Sequence, residues 1–371
     1  MTPDGLAGRL ILRPGTLASV RCERPMVGAA LLARLTGGRH AALLPDIIAA
    51  VFTLCADAQR WTSRRAIRAA LGAADSAAET AREARVLALH VVREHLQRFA
   101  LDLPTLAPRA VAPASAQWLR DAPVMSLPAF TGTAGETTLA ATETALQGWI
   151  ERRLLGMPPR DWLEAWRREQ GAWLDHWCRG RDHPVAQWLA AVRDDARAIA
   201  WPCRPLDVLN APDAGPRELA AAVAAQPSFA ERPLWHGAAA ETGPWTHLGH
   251  TVAAFTVWDR LGARLAEIAH VASGTPLALG ALPTGDGEGI AWTEMSRGLL
   301  MHWVQLAPGE REASTARAAR YHVLAPTEWN FHPEGAFARV LREGALSPPQ
   351  VSLAAAALDP CIAFTIEERV Q

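Results

Sequence analysis

The segment that most restricts how this chain can fold lies near its C-terminal end, where Asp359-Pro360-Cys361 follows an apolar run. Proline fixes its own φ and restrains the residue before it, so the backbone that leads to the thiol is held in an extended or turn form. The flanking residues, 354–358 and 362–364, are apolar enough to be buried. Taken alone, Cys361 is explained as a small buried hydrophobe, because free cysteine is among the most buried residue types.

The cysteines are few and widely scattered, and no two of them form a Cys-x-x-Cys pair. They are Cys22, Cys55, Cys178, Cys203 and Cys361. An odd, sparse set of this kind argues against a disulfide framework and against an ordinary structural zinc site. Any metal held by these thiols therefore has to take its ligands from distant parts of the chain.

The composition is that of a globular chain, with 371 residues, 50% of them apolar and 20% charged, and a net charge of −1. This length supports a substantial core. The nearly neutral charge argues against nucleic acid or an anionic membrane surface as a partner. No apolar stretch reaches the length of a membrane span, and we expect a cytoplasmic protein.

Cys55 and Cys361 together resemble one half of a known metal-binding pattern. The large subunits of NiFe hydrogenases carry Cys-x-x-Cys near the N-terminus and Asp-Pro-Cys-x-x-Cys at the end. In this chain the first cysteine of each pair is present, whereas Ala58 and Phe364 stand at the second positions. Among hydrogenase relatives, this half-pattern is most similar to the HupK/HoxV accessory proteins of hydrogenase maturation.

Three further stretches resemble motifs of the same large subunits. Glu241–Pro244 matches Glu-x-Gly-Pro, and Pro326–Asn330 is similar to Pro-Thr-Thr-Trp-Asn. Glu294–Gly298 resembles Glu-Ala-Pro-Arg-Gly, with Ser296 in the place of the proline. The resemblance is loose over most of the chain and close over residues 287–364.

The resemblance implies an α+β fold that is predominantly helical and built like a NiFe hydrogenase large subunit, in a single domain over residues 1–371. In the C-terminal third, residues 299–304 and 321–324 predict two strands that pair as a hairpin. We therefore expect a small antiparallel β element in that part of the chain.

Two helical segments carry residues whose type invites a functional interpretation. Residues 160–179 hold four tryptophans at helical spacing, which more often indicates core than a cofactor site, and we predict core. The helix predicted over 252–271 carries Arg260 and Arg264, where the large subunits also tend to have arginines. From the residues alone both are explained as solvated helix charges, and we keep that interpretation.

The resemblance also implies a site for part of the hydrogenase cofactor. In the enzymes four thiolates hold nickel and iron, and the iron carries two cyanides and one carbon monoxide; soft thiolates suit such an iron. Cys55 and Cys361 are the metal ligands that remain, enough for one Fe(CN)2(CO) fragment. The residues assigned by resemblance to binding this fragment are Ser296, Arg297, Pro326 and Thr327.

A buried anionic cyanide needs hydrogen-bond donors, because burial without them is costly. By resemblance, Arg297 donates to one cyanide, and the hydroxyl of Thr327 with nearby main-chain amides donates to the other. Considered singly, Arg297 is explained by an ion pair with Glu294, and Thr327 by turn formation before Trp329. Considered as a set around two cysteines, they favour a site.

Four positions depart from the pattern of the enzymes. Ala58 and Phe364 replace the cysteines that bridge the two metals, and Thr62 and Glu367 stand where the enzymes have histidines. Precursors of the enzymes also carry an extension that a protease removes after nickel insertion, and this sequence ends at Gln371. We therefore expect neither nickel binding nor hydrogen turnover.

These features favour a non-catalytic scaffold or chaperone that holds the iron fragment, or a large-subunit precursor, while a NiFe hydrogenase is assembled. The expected partners are the large-subunit precursor and the maturation proteins that build the fragment. Two alternatives remain: a hydrogenase-like enzyme with a mononuclear iron, and a metal-free structural pseudo-subunit. Infrared bands from carbon monoxide and cyanide separate the pseudo-subunit from the other two, and hydrogen-dependent dye reduction identifies the enzyme.

Overall fold

The computed structural model describes residues 8–23, 29–73, 76–106, 116–126, 135–248, 255–309 and 312–367. Gln371 and the other residues between and beyond these ranges lie outside the description. Helices predominate among the described residues, and the strands form small sheets. The predicted α+β class with a helical majority is confirmed.

The helices follow one another along most of the chain. In chain order they are α1 (Ala29–Thr36), α2 (Leu44–Val51), α3 (Ala56–Ala70), α4 (Ala77–Gln97), α5 (Gln117–Arg120), α6 (Glu136–Trp149), α7 (Pro159–Glu169), α8 (Gly171–Cys178), α9 (Pro184–Ala198), α10 (Ala214–Ala225), α11 (Pro244–His247), α12 (Val257–Ala272), α13 (Pro326–Asn330), α14 (Ala336–Glu343) and α15 (Pro348–Leu358). A capping box between Ser76 and Glu79 begins α4 and satisfies its first main-chain donors.

Most of the strands lie near the N-terminus or in the C-terminal third of the chain. They are β1 (Arg9–Leu12), β2 (Val20–Glu23), β3 (Ala200–Trp201), β4 (Phe255–Thr256), β5 (Leu279–Gly285), β6 (Glu288–Met295), β7 (Gly298–Leu306), β8 (Ala318–Leu324) and β9 (Ala363–Ile366). β5, β6, β7 and β8 form an antiparallel sheet in that order. The predicted hairpin is therefore confirmed as β7 and β8, and it belongs to a larger sheet whose first strand the sequence did not reveal.

Ser296 and Arg297 form the turn between β6 and β7, and a neighbouring segment fixes its position. Gly298 has a φ of 122°, and a Cβ there would lie 2.7 Å from the hydroxyl oxygen of Thr242, so only glycine fits. The same hydroxyl oxygen accepts a hydrogen bond from the N–H of Leu299 at 2.9 Å. Thr242, in the segment that resembles Glu-x-Gly-Pro, thus holds the turn that contains Arg297 in place.

The first and last described strands are neighbours. β1 pairs in parallel with β9, which sets Leu10 opposite Phe364 and Leu12 opposite Ile366. On its other edge β1 pairs antiparallel with β2. Cys361 lies just before β9, so its position depends on this pairing between the two ends of the chain.

The tryptophan-rich segment belongs to the core, as predicted. It forms two helices, α7 and α8, which meet at Gln170 with a φ of 47°. Trp162, Trp166 and Trp177 are buried in the largest apolar cluster of the molecule, and Trp173 packs against that cluster. Stacked and edge-on contacts among these rings favour a rigid core over a surface for ligands.

The interpretation of Arg260 and Arg264 as solvated charges is wrong, because both side chains on α12 are fully buried. Arg260 donates through Nε to a carboxylate oxygen of Glu241 at 2.8 Å, and its guanidinium lies 3.8 Å from the ring centre of Trp201. A buried charge costs several kcal/mol unless it is paired. The carboxylates that permit this burial come from distant segments of the chain. The spacing of residues within α12 could not predict them.

No helix among the described residues has, by itself, the length and apolar character needed to cross a membrane. The segments that contain α2 and α3 have that length and apolar character only when they are taken together, and a bend of 107° separates them. Both helices contact the rest of the fold, and α3 packs against β6 and β7. The single domain over residues 1–371 stays a prediction.

Candidate functional site

Cys55 stands at the start of α3, and its thiol is buried. The residue is the N-cap of that helix, and its N–H bonds to the carbonyl oxygen of Phe52 at 3.2 Å. One turn further along α3, the amide nitrogen of Gln59 donates to the sulfur at 3.5 Å. The helix therefore both positions the thiol and supplies a donor to it.

The Cys55 thiol is held in its neutral form. Burial raises its pKa to about 12, and the thiol of Cys361 adds to the increase. Arg297 and the hydrogen bond from Gln59 lower the pKa without offsetting the burial. Cys55 is thus protonated at neutral pH, and a metal has to displace that proton in order to bind.

Cys361 lies between α15 and β9, is partly exposed, and is bound by Thr327. Pro326 begins α13, where its fixed φ suits the first helical position, and Thr327 follows it. The Thr327 hydroxyl oxygen accepts from the N–H of Cys361 at 3.1 Å and lies 3.0 Å from the sulfur. Because the oxygen accepts from the main chain, the hydroxyl hydrogen can be donated to the sulfur.

Arg297 brings the two cysteines into one electrostatic group. Burial alone lowers the pKa of Arg297, but Asp359, Glu94 and both cysteines raise it well above its ordinary value. The same guanidinium therefore interacts with Cys55 and with Cys361, and the two thiols act on one another. Two cysteines that are far apart in the sequence therefore lie close enough in the fold to affect each other's charge.

Glu94, on α4, is the principal partner of the turn that carries Arg297. One of its carboxylate oxygens accepts from Arg297 Nη1 at 2.9 Å and also accepts from the hydroxyl of Ser296. Glu294, the partner considered from the sequence, instead accepts from the N–H of Ala278 at 2.9 Å. The explanation of Arg297 by an ion pair with Glu294 is therefore wrong.

Asp359 is enclosed by three guanidinium groups. Its carboxylate lies 3.0 Å from Arg98 Nε, 3.2 Å from Arg264 Nη1 and 3.6 Å from Arg297 Nε. Burial opposes ionisation, but Arg297 and the other two arginines hold the pKa of Asp359 well below its usual range. Asp359 has a φ of 55° at the end of α15, which redirects the chain toward Cys361.

Sequence reasoning missed three charged residues of this site, namely Glu94, Arg98 and Arg264. Arg264 also donates to the carbonyl oxygens of Ser296 and Ala357, so it ties the turn after β6 to the end of α15. The tendency of the large subunits to have arginines in this helix was the one signal that pointed to Arg264. For Glu94 and Arg98 the sequence contains no signal, since each is an ordinary charged position in a helical stretch.

The positions that depart from the enzyme pattern have structural contacts of their own. The hydroxyl of Thr62 donates to the carbonyl oxygen of Ala58 within α3. Phe364 is a residue of β9, and Glu367 accepts from Arg13 at 2.7 Å. Over the described ranges, no three His, Cys, Asp or Glu residues are arranged to hold a metal ion.

A cavity of about 540 Å³ borders both halves of the site. Its wall includes Phe52, whose carbonyl oxygen binds the N–H of Cys55, and Thr327, which binds Cys361. Its lining also includes residues of β2, among them the exposed Cys22, and residues 230–232. The two thiols are not part of this lining, so the cavity approaches the site through residues that hydrogen-bond with Cys55 and Cys361.

A second buried group of titratable residues lies between α4 and α12. Glu267 contacts His95 on one side and lies 2.6 Å from His247 Nε2 on the other. Burial disfavours both charges, yet the pairing holds the pKa of Glu267 at about 2, and Glu294 with Glu267 raises the pKa of His247 to about 9. This group is therefore an ion pair at neutral pH.

The fold is that of a hydrogenase large subunit. The chain superimposes with a TM-score of 0.51 on a variant of the NiFeSe hydrogenase from Desulfovibrio vulgaris Hildenborough, over 92% of both chains at 14% identity. The reduced, active NiFeSe hydrogenase from Desulfomicrobium baculatum gives the same score over 92% of this chain and 93% of that one, at 12% identity. At such identities the likeness concerns the fold alone.

Sequence comparison identifies the family of the chain, although no protein-family model matches it. It is 35% identical to the hydrogenase expression/formation protein HoxV of Cupriavidus necator over 384 aligned residues, which cover 98% of this chain and 96% of HoxV. It is also 27% identical to HupK of Rhizobium leguminosarum bv. viciae, over 95% and 92% of the two chains. The chain belongs to the HoxV/HupK family of hydrogenase expression/formation proteins.

Proposed function

We propose that this protein acts in hydrogenase maturation as a non-catalytic scaffold that carries an Fe(CN)2(CO) fragment on Cys55 and Cys361. The role in maturation follows from the relatives, which are named hydrogenase expression/formation proteins. The iron fragment is the cargo of the scaffold. The observation that carries the finer proposal is that one buried arginine lies near enough to both cysteines for each of them to raise its pKa.

Arg297 has the donors that such a cargo requires. Its Nη1 is bound to Glu94, whereas its buried Nε makes no hydrogen bond among the residues that the structure describes. A guanidinium presents a planar set of donors with a fixed charge, which suits a cyanide nitrogen. In a dry pocket a charge-assisted hydrogen bond of this kind contributes on the order of 1.5–3 kcal/mol.

The position of Arg297 also favours an anionic cargo. Its guanidinium acts on both cysteines and lowers the pKa of Cys55, so it favours the thiolate that a metal needs. Two thiolates that bind iron would bring negative charge next to this fixed positive charge.

The replaced positions support carriage over catalysis. Ala58 and Phe364 offer no sulfur, so the bridges that hold two metals in the enzymes are missing. One iron bound by two thiolates can be held and passed on, and the cavity beside Phe52 and Thr327 is the route that we propose for its exchange. A cytoplasmic location and contacts with a large-subunit precursor and with fragment-building proteins belong to the same proposal.

The test is an infrared spectrum of the protein purified from a host that expresses the hydrogenase maturation machinery. We expect bands of iron-bound carbon monoxide and cyanide in the wild type, and their loss in Cys55→Ser and in Cys361→Ser. Cys203→Ser is the matched control, because it changes a partly buried cysteine outside the site. Wild-type band intensity in the double variant Cys55→Ser/Cys361→Ser would overturn the proposal.

A folded wild-type protein without such bands would favour the metal-free pseudo-subunit. Hydrogen-dependent reduction of a viologen dye by the loaded protein would favour the enzyme with a mononuclear iron. Circular dichroism of each sample establishes that it is folded.

A further inference from the structure

A row of buried polar side chains extends from the sulfur of Cys55 into the core. Gln59 Nε2 lies 3.5 Å from the sulfur, and Gln59 Oε1 lies 2.8 Å from His302 Nε2. On the far side of the ring, His302 Nδ1 lies 2.6 Å from the hydroxyl of Tyr321. The row thus joins α3 to β7 and β8, and the resemblance assigned none of its three members.

The direction of these hydrogen bonds can be derived from the chemistry of the groups. A thiolate at Cys55 can only accept, so Gln59 presents its amide nitrogen to the sulfur and its oxygen to the ring. His302 Nε2 must then carry a hydrogen in order to donate to Gln59 Oε1. Burial lowers the pKa of His302 to about 3, so the ring is neutral and its Nδ1 accepts from Tyr321.

The row lies in an apolar setting. Gln59, His302 and Tyr321 are 1%, 0% and 2% exposed, and the surrounding cluster includes Ala66 and Leu300. Polar groups in such a place are costly unless each has a partner, and here each successive pair is hydrogen-bonded. Burial also raises the pKa of Tyr321, so its hydroxyl keeps its hydrogen. The row therefore presents one hydrogen-bond donor, the Gln59 amide, to the sulfur, and all of its members are uncharged.

We infer that Tyr321, His302 and Gln59 form a directed, neutral hydrogen-bond chain that presents one fixed donor to the Cys55 sulfur and so sets how strongly this thiolate donates electrons to bound iron. The inference rests on the proposed function. The three residues are positioning residues, since His302 and Tyr321 act on the sulfur only through Gln59. Hydrogen bonds to metal-bound sulfur are a recognised means of tuning a metal site.

The experiment measures the carbon monoxide stretching frequency in the loaded protein. Gln59→Leu removes the donor to the sulfur, which makes the thiolate a stronger electron donor and shifts the carbon monoxide band to lower frequency. Tyr321→Phe removes the hydroxyl that donates to His302 and should give a smaller shift in the same direction. Thr62→Val is the control, because Thr62 is an equally buried residue of α3 whose hydroxyl bonds to the main chain, and it should leave the frequency unchanged.

A second readout does not use the carbon monoxide band. Nitrogen NMR of loaded, histidine-labelled protein, in which Cys55 is a thiolate, should show His302 with its hydrogen on Nε2, and a hydrogen on Nδ1 instead would overturn the directed chain. Wild-type frequency in a loaded, folded Gln59→Leu protein would overturn the inference and leave the proposed function standing. A wild-type protein that carries no carbon monoxide band would overturn the proposed function and this electronic role together.

Discussion

The hydroxyl of Thr327 lies 3.0 Å from the sulfur of Cys361 and accepts a hydrogen bond from the N–H of the same residue at 3.1 Å. One side chain on α13 thus fixes both the main chain and the thiol of a cysteine that follows a different helix. The resemblance assigned the hydroxyl to a cyanide; in this structure its partner is the cysteine. We therefore expect Thr327 to hold Cys361 in place for the proposed binding of iron, and this can be tested.

Thr327→Val keeps the shape of the side chain and removes the hydroxyl. The loss of a buried hydrogen bond should lower the free energy of unfolding by about 1 kcal/mol and leave the Cys361 segment less restrained. We expect weaker carbon monoxide and cyanide bands per protein and faster alkylation of Cys361, whereas Thr327→Ser should behave like the wild type. Equal bands and equal alkylation in the valine variant would mean that Thr327 has only a local structural role.

Arg297→Lys should retain the fold and hold the iron fragment more weakly. Lysine keeps the charge that Glu94 and Asp359 require, but it loses the planar set of donors. Arg297→Leu should lose more of the cargo, because it leaves the cyanide without its donor. Infrared intensity per protein is the measurement, with circular dichroism as the control. Unchanged bands in a folded Arg297→Leu protein would show that the arginine serves only the buried ion pairs.

Asp359→Asn should destabilise the protein strongly. Asparagine tolerates the positive φ of 55° at this position, so the change isolates the loss of charge. The buried Arg264 and Arg297 and the partly buried Arg98 would lose the carboxylate between them, at a cost of roughly 3–5 kcal/mol in the free energy of unfolding. Asp46→Asn, in an exposed ion pair with Arg60, is the control and should change it by less than about 1 kcal/mol. Similar urea midpoints for the two variants would contradict the prediction.

Stability should fall as the pH rises from neutrality, through His247. Its pKa is raised from 6.5 to about 9, so its contribution is complete below pH 6.5 and is lost as the pH passes 9. This contribution is on the order of 3 kcal/mol at most. Urea unfolding of His247→Gln should show a flatter dependence between pH 6.5 and 9, and His236→Gln, in an exposed pair, should match the wild type. A parallel decline in all three proteins would exclude His247 as the cause.

The protein should take up no stoichiometric nickel and should not oxidise hydrogen. Ala58 and Phe364 supply no bridging sulfur, and Thr62 and Glu367 stand at the positions of histidines in the enzymes. Metal analysis of the purified protein and a viologen assay under hydrogen are the measurements. One nickel per protein, or dye turnover above that of a heat-inactivated sample, would contradict this expectation.

Much of the architecture could be predicted because it depends on local patterns. The hairpin of β7 and β8 follows from two strand-like segments with a turn between them, and the buried tryptophans of α7 and α8 follow from helical spacing. The grouping of Cys55, Cys361 and Arg297 was expected from motifs that lie far apart in the sequence. A motif shared with a family can predict a contact between distant residues, although the sequence around each residue gives no sign of it.

The partners of these motifs could not be predicted for a physical reason. Whether a charge such as that of Arg264 is buried depends on a carboxylate, Asp359, that arrives from another part of the fold. Glu94 occupies an ordinary helical position until the turn after β6 is placed against it. The chain from Gln59 through His302 to Tyr321 likewise crosses three elements, and none of the three residues is unusual within its own element.

The pairing of β1 with β9 determines the order in which the two halves of the site form during synthesis. β1 is made before β9 and acquires its parallel neighbour only when residues 363–366 have been added. Pairing of such distant segments is slow, because a long loop must close before any contact forms. The half of the site that contains Cys361 is therefore formed after the half that contains Cys55, and a partly synthesised chain lacks one of the two thiols of the proposed iron site.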